Sequence, residues 1–293
     1  MSTLQASYPL RRFPLAICAT PPFYHTAFHL LALVALFALL LPGCSSLPFS
    51  STIDPDKLPT TIRVGLATDA PPLAYQNTTS AGGLDAQLAA GLSSYTNKEI
   101  TYLSLPRRDL LEALNKNEVD VIMAGFTASE AKQRGLAATR SYLDSGLVPL
   151  MFLGEHKQLA TAAGLKAADV RIGTVLGSAG PAFVRSLRAK GTHQVFATTQ
   201  TGVNALLAKR IDVLLHDMPT CFHYASIHIE QGLIPGLTPL TRENIVWILR
   251  PKDRNLRLLL NAYLQEKEES GELTTLIANT LPFYHETSLF KNK

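Results

Sequence analysis

Cysteine is scarce in this chain of 293 residues, with only Cys18, Cys44 and Cys221 present. Cys18 and Cys44 fall in or at the end of an N-terminal leader, so Cys221 has no disulfide partner in the rest of the chain. It reads as a small buried hydrophobe in preference to a reactive thiol. Charge is also sparse, at 17% of residues, and no block of like sign occurs. No basic helix carries interleaved aromatics, which argues against nucleic acid as a partner. The signatures of HExxH zinc peptidases, Walker A nucleotide binders, GxGxxG dinucleotide binders and nucleophile-elbow hydrolases are missing. His216, His223 and His228 are spaced by seven and five residues, which puts no two on one helical turn. They read as structural histidines, and neither a metal nor a cofactor is expected.

Long apolar runs are few as well. The run Leu30–Leu41 is about 12 residues long, short of the ~20 that cross a bilayer core. Arg11 and Arg12 precede it and Pro42-Gly43-Cys44 stops it, the pattern of a secretory signal. The sequence LPGC followed by Ser45-Ser46 resembles a bacterial lipobox, with Pro42 as a departure from its usual residue. Residues 1–43 are therefore expected to be a signal peptide, with Cys44 lipidated (palmitate among its acyl chains) at the mature N-terminus. Residues 44–61, rich in Ser and Pro, would tether a soluble domain to the periplasmic side of a bacterial membrane. Ser45 favours the outer membrane, and a soluble periplasmic protein after plain signal cleavage is the alternative. Without Arg11 and Arg12 the net charge of +4 falls to +2.

What the chain does have is alternation. Strand-like segments at 62–67, 100–105, 119–124 and 147–153 are separated by helical periodicity at 84–95 and 108–115. After a polar break at Gly154–Gln158 the rhythm restarts, with strands at 170–175, 194–197 and 211–215 and helices at 182–190 and 201–209. A strand at 245–249 and an amphipathic helix at 256–269, stopped by Gly271, complete it. This is the βαβ pattern of mostly parallel sheets with helices on their faces. The halves echo each other: Val119-Asp120-Val121-Ile122 and Ile211-Asp212-Val213-Leu214 each follow a helix and a Lys-containing turn.

The segment Val119–Gly146 is the most informative. Its strand breaks at Gly125, a small polar loop follows (Thr127, Ala128, Ser129), and a helix begins with Glu130 in its first turn. Free N–H groups and hydroxyls there, with Lys132 and Arg134 nearby, predict a cradle for a small anionic group. In open α/β sheets ligands sit beyond the carboxyl ends of strands. Gly125-Phe126-Thr127 in one half and His216-Asp217 in the other mark two such edges, which would face each other across a cleft.

The motifs IRVGLATDAPPLAY, GGLDAQLAAGL, LLEALNKNEVDVIMAGFTASEAK, TRSYLDSG, IGTVLGSAG, KRIDVLLHDMP and NAYLQEKEESGEL follow one another in order. On these motifs the chain resembles the family 3 extracellular solute-binding proteins, the amino-acid receptors of ABC importers. The resemblance implies a type II periplasmic binding protein fold, with two α/β lobes joined by two hinge strands and closing on a ligand. Lobe 1 would hold 62–152 and 247–290, and lobe 2 would hold 153–246. It implies no enzymatic activity, an amino-acid-like ligand and an ABC permease as partner.

The resemblance also assigns roles. Asp217 would bind the ligand amine, with the Gly125 carbonyl and the Thr127 hydroxyl sharing it. Gly177, Ser178 and Ala179 would cover the α-carboxylate, and Asp69 would stand at the cleft rim. Four positions depart from the family pattern. Lys132 stands for the usual arginine, Ala179 for a hydroxyl residue, Leu73 (with Tyr75 two residues on) for an aromatic, and Arg107 for another aromatic. Lysine offers a point charge where arginine offers a planar fork. If Arg107 faces the cleft, ligands with a second acid become more plausible. Each position has a plainer reading too: Asp217 as a turn cap, Thr127 and Ser129 as N-caps, Lys132 and Arg107 as solvated surface charges. Two further functions share the fold, a stand-alone sensor resembling the N-terminal module of membrane-bound lytic transglycosylases and a periplasmic dehydratase using Glu130 and Asp69.

Overall fold

The computed structural model describes residues 52–287 with the exception of Thr79. The expected signal peptide, Cys44, most of the tether and the last residues of the lobe 1 range lie outside the described residues. Fourteen strands occur among the described residues, in chain order β1 Thr61–Ala67, β2 Asp69–Ala70, β3 Ala74–Gln76, β4 Ala81–Gly82, β5 Glu99–Leu105, β6 Val121–Thr127, β7 Ala137–Ala138 and β8 Leu143–Ser145, then β9 Leu147–Phe152, β10 Ile172–Val175, β11 His193–Phe196, β12 Val213–Asp217, β13 Leu233–Pro235 and β14 Glu243–Leu249. They form two main sheets and a small one. The first runs β5-β1-β6-β14-β7, with β8 also on β14, and the second runs β11-β10-β12-β9-β13. Strands β2, β3 and β4 make the third.

The two main sheets repeat one plan. In each, three parallel strands (β5-β1-β6 and β11-β10-β12) meet an antiparallel fourth, β14 or β9. The echo seen in the sequence has a physical basis at the amino edges. Arg63 donates from Nε and Nη2 to Asp120 at 3.0 and 2.7 Å, and Arg171 donates from Nε to Asp212 at 3.1 Å. Each arginine, within β1 or just ahead of β10, thus fastens the aspartate that immediately precedes the neighbouring parallel strand.

Burial explains the helices. In Leu84–Thr96 the residues Leu84, Leu88, Ala89 and Leu92 are buried at helical spacing, and Asn97 stops the helix in the left-handed region at φ 53°. In Arg254–Glu269 the same spacing buries Leu256, Leu260, Tyr263 and Leu264. Both helices pack on Trp247, which is fully buried in β14. Truncating a buried aromatic of that size costs roughly 3–5 kcal/mol. The register of β14 shifts between Val246 and Ile248, and Thr139 satisfies the backbone there by accepting the Trp247 N–H on its hydroxyl at 3.0 Å.

The chain passes between the main sheets twice. Between β8 and β9 only Gly146 intervenes, and between β13 and β14 lies 236–242. The passages touch: the Leu147 N–H donates to the Thr241 hydroxyl at 3.0 Å and the Leu240 N–H to the Leu147 carbonyl at 2.8 Å. Strand Leu147–Phe152, expected from sequence in the first lobe, hydrogen-bonds to β12 and β13 of the second sheet, and Glu243–Val246, expected in the second, pairs into the first. The sheets change at Gly146, ahead of the polar break that the sequence offers at Gly154.

Candidate functional site

The register of the strands brings the two carboxyl edges together. Asp217 at the end of β12 pairs with Leu147, and Gly146 links Leu147 to Ser145. Ser145 pairs with Glu243, and Ile245 in the same strand pairs with Thr127 at the end of β6. The loops after β6 and β12 therefore flank one junction, the place where a ligand of an open α/β sheet binds.

On the first edge Gly125 takes φ +64°, and a Cβ there would lie 2.7 Å from the Leu73 side chain. Its N–H donates to Asp85 Oδ2 at 3.1 Å. The other Asp85 oxygen accepts the Trp247 indole N–H at 2.9 Å. Asp85 is fully buried, and burial pushes its carboxyl up to about 6 despite the hydrogen bonds it accepts from the Trp247 indole and the Gly125 N–H. Asp85 is a site residue that the sequence motifs do not single out. Its signal was a carboxylate on the buried face of an otherwise apolar helix.

The expected anion cradle is spent internally. Thr127 caps helix Ala128–Gln133, with the Glu130 N–H donating to its hydroxyl at 3.1 Å and the Thr127 N–H donating to Glu130 Oε2 at 2.8 Å. This capping box satisfies two of the helix's free donors within the helix itself. Ser129 donates to Glu243 at 2.8 Å. Lys132 lies in the second turn, exposed, and lines a shallow depression with Ala137, Pro251 and Arg257. Pro251 follows the carboxyl end of antiparallel β14, so this depression extends toward the opposite edge of the sheet.

Arg107 occupies the first edge. Its Nε donates to the Ala124 carbonyl at 3.0 Å and its Nη2 approaches the Gly125 carbonyl at 3.4 Å. Nη2 also meets both Glu130 carboxylate oxygens, at 3.0 and 2.8 Å. The guanidinium lies 3.8 Å over the Phe126 ring. Its backbone N–H donates to Asp69 at 2.8 Å, and Asp69 pairs with Tyr75 across β2 and β3. The sequence marks Arg107 and Glu130 singly; the fold pairs them across 23 positions.

On the second edge Ser178 donates to the Val175 carbonyl at 2.7 Å and accepts the Gly180 N–H at 3.2 Å. Gly177, at φ +80°, and exposed Ala179 complete this turn at the start of helix Gly180–Leu187. Asp217 caps helix Met218–Ile227 by accepting the Thr220 N–H at 2.9 Å. Its other oxygen meets His216 Nδ1, and 37% of its side chain stays exposed. Burial opposes its ionisation, yet attraction to His216 and the hydrogen bonds of His216 and Thr220 hold it well below the usual carboxylate range. It therefore presents a fixed negative charge at the junction. Cys221, one turn on, is buried and donates to the Val148 carbonyl at 3.5 Å, and burial pushes its thiol well up. Among the described residues no group of His, Cys, Asp and Glu is placed to hold a metal ion.

Residues 62–281 match the family described as bacterial extracellular solute-binding proteins, family 3. The chain belongs to this family. The family's description points to a protein that binds solutes. Among curated relatives it is similar to the probable histidine-binding protein of Neisseria gonorrhoeae, at 23% identity over 199 residues, covering 67% of this chain and 73% of the relative. A Wolinella succinogenes structure described as a binding component of an ABC transporter, complexed with lysine, shares 19% identity at TM-score 0.70, covering 80% of this chain and all of that one (100%). An ancestral amino acid-binding protein, described as a precursor of cyclohexadienyl dehydratase, matches at 19% identity and TM-score 0.65 over 76% of this chain and 95% of that one. At such identities these structures establish the fold, that of the type II periplasmic binding proteins. The solute-binding fold expected from the motifs is the one observed.

Proposed function

We propose that this protein captures an amino acid or a similar small polar solute between two lobes and delivers it to an ABC permease. The observation that carries this reading is Asp217, a partly exposed carboxylate held ionised at the junction of two sheet edges. A solute ammonium set against it makes a charge-assisted hydrogen bond, and Ser178 and the Thr127 hydroxyl lie on the loops that flank the same junction. The names of the relatives, which refer to histidine and lysine binding, are consistent with a solute of this class. Sheet membership supports a division near Gly146 and Thr241, with 62–145 and 243–287 as one lobe and 147–241 as the other. The acids suited to dehydratase chemistry, Glu130 and Asp69, are both engaged by Arg107, which favours binding over catalysis.

Asp217→Asn keeps an oxygen to cap the helix and removes the charge. It is expected to lower amino-acid affinity about 100-fold, read by calorimetry against a panel of amino acids. An unchanged affinity would remove Asp217 from the site. The proposed lipid anchor at Cys44 is tested separately. Cys44→Ser should move the protein from the membrane fraction to the soluble periplasm, and an unaltered distribution would exclude lipidation there.

A further inference from the structure

The first-sheet side of the site already holds a cation. The Arg107 guanidinium rests on the Ala124 and Gly125 carbonyls, on both oxygens of Glu130 and over the face of Phe126. These are the acceptors and the aromatic surface that a cationic solute group would need, gathered at the carboxyl end of β6. Arg107 Nη1 makes no hydrogen bond among the described residues, while 29% of the side chain is exposed. A planar fork with free N–H donors suits a carbonyl or carboxylate oxygen and repels a second positive charge.

From this, and resting on the proposed solute-binding role of the cleft, we infer that Arg107 is a specificity-determining residue. It fills a cation subsite with its own guanidinium, so the protein selects solutes whose side chain is neutral or acidic and rejects basic amino acids. The solute ammonium then has Asp217 as its anchor, and the rest of the solute meets Arg107. Rejection is built in as an occupied site and a like charge, in addition to any attraction for the preferred solute. Glu130 has two roles here, since it closes the capping box with Thr127 and anchors Arg107. The capping box does not need Arg107, so the loop keeps its shape when that side chain is shortened.

The test is calorimetric titration of the wild-type protein, Arg107→Ala and Arg107→Lys with L-glutamine, L-glutamate, L-arginine and L-lysine. The wild type is expected to bind glutamine or glutamate at least about 10-fold more tightly than arginine or lysine. Arg107→Ala opens the subsite formed by Glu130 and the two carbonyls. It should gain about 10-fold or more in arginine affinity, a change that a misfolded variant cannot produce. Arg107→Lys keeps the charge and should show no such gain. Wild-type protein that binds arginine as tightly as glutamine, or an Arg107→Ala variant with no gain, overturns the inference and leaves the solute-binding role intact. Failure of all four to bind the wild type counts against an amino-acid solute itself.

Discussion

At the scale of single residues, the decisive chemistry lies in side chains that hold the end of β6 from behind. Asp85 fixes the Gly125 N–H and the Trp247 indole from a position without solvent contact. Burial raises its carboxyl from an ordinary value near 3.9 to about 6, so between these pH values the folded protein binds a proton that the unfolded chain has lost. Stability is therefore greatest below about pH 4, declines as pH rises through 6, and is flat above it as far as this group is concerned. The difference amounts to about 3 kcal/mol at most. Asp85→Asn cannot ionise, but its amide can accept only one of the two donors. The variant should be less stable than wild type at pH 4, with the gap narrowing by up to about 3 kcal/mol by pH 7. Urea denaturation at these two pH values measures it, and a gap that does not change with pH would contradict the assignment. Asp217 has the opposite sign. Its carboxyl is held down, so its contribution persists through neutral pH and fades only in strong acid.

At the scale of elements, much was legible and the gaps have physical causes. Segments with one clear period were found: β1, β5, β9 and the helices Leu84–Thr96 and Arg254–Glu269 begin and end within two residues of their expected limits. The strand expected at 119–124 runs from Val121 to Thr127, because pairing with Ile245 carries it beyond the glycine that reads as its end. Helix Met218–Ile227 was not foreseen, since His216-Asp217-Met218-Pro219 reads as a turn until Asp217 is seen to cap it. The small β2-β3-β4 sheet is too short to show any period. Site residues followed the same division. Those on named loops could be nominated from their neighbours in the chain, whereas the Arg107–Glu130 pair spans 23 positions and depends on how β5 and β6 are ordered. The two Arg–Asp fastenings illustrate a limit of motif reading. They look equivalent in sequence, yet the Asp120 side chain is 9% exposed and also takes Arg250, while the Asp212 side chain is 29% exposed. Breaking the first leaves a buried charge and costs a few kcal/mol, whereas a surface pair contributes about 1 kcal/mol or less.

At the scale of the whole described chain, the backbone crosses from one main sheet to the other through two adjoining segments. Gly146 is the sole residue between β8 and β9, and a Cβ there would stand 2.0 Å from the Thr241 carbonyl oxygen and 2.9 Å from the Pro239 side chain. The obstacle on one side is backbone, which cannot rotate out of the way as a side chain can. Relief requires the passages to separate, and the hydrogen bonds from Leu147 to Thr241 and from Leu240 to Leu147 would go with them. The Gly146 carbonyl also accepts the Met218 N–H at 2.9 Å, so the strain reaches the first turn of the helix that Asp217 caps. Gly146→Ala is thus expected to destabilise the protein by about 1–3 kcal/mol and to weaken solute binding without touching the solute. Gly154→Ala is the matched control, because nothing lies within 4 Å of a Cβ at that position. It should stay within about 0.5 kcal/mol of wild type. Urea denaturation separates the two variants, and equal stabilities would mean that the passages yield freely. In that case the junction would be a loose linker, and Asp217 and Thr127 would not be held to one geometry before the solute arrives.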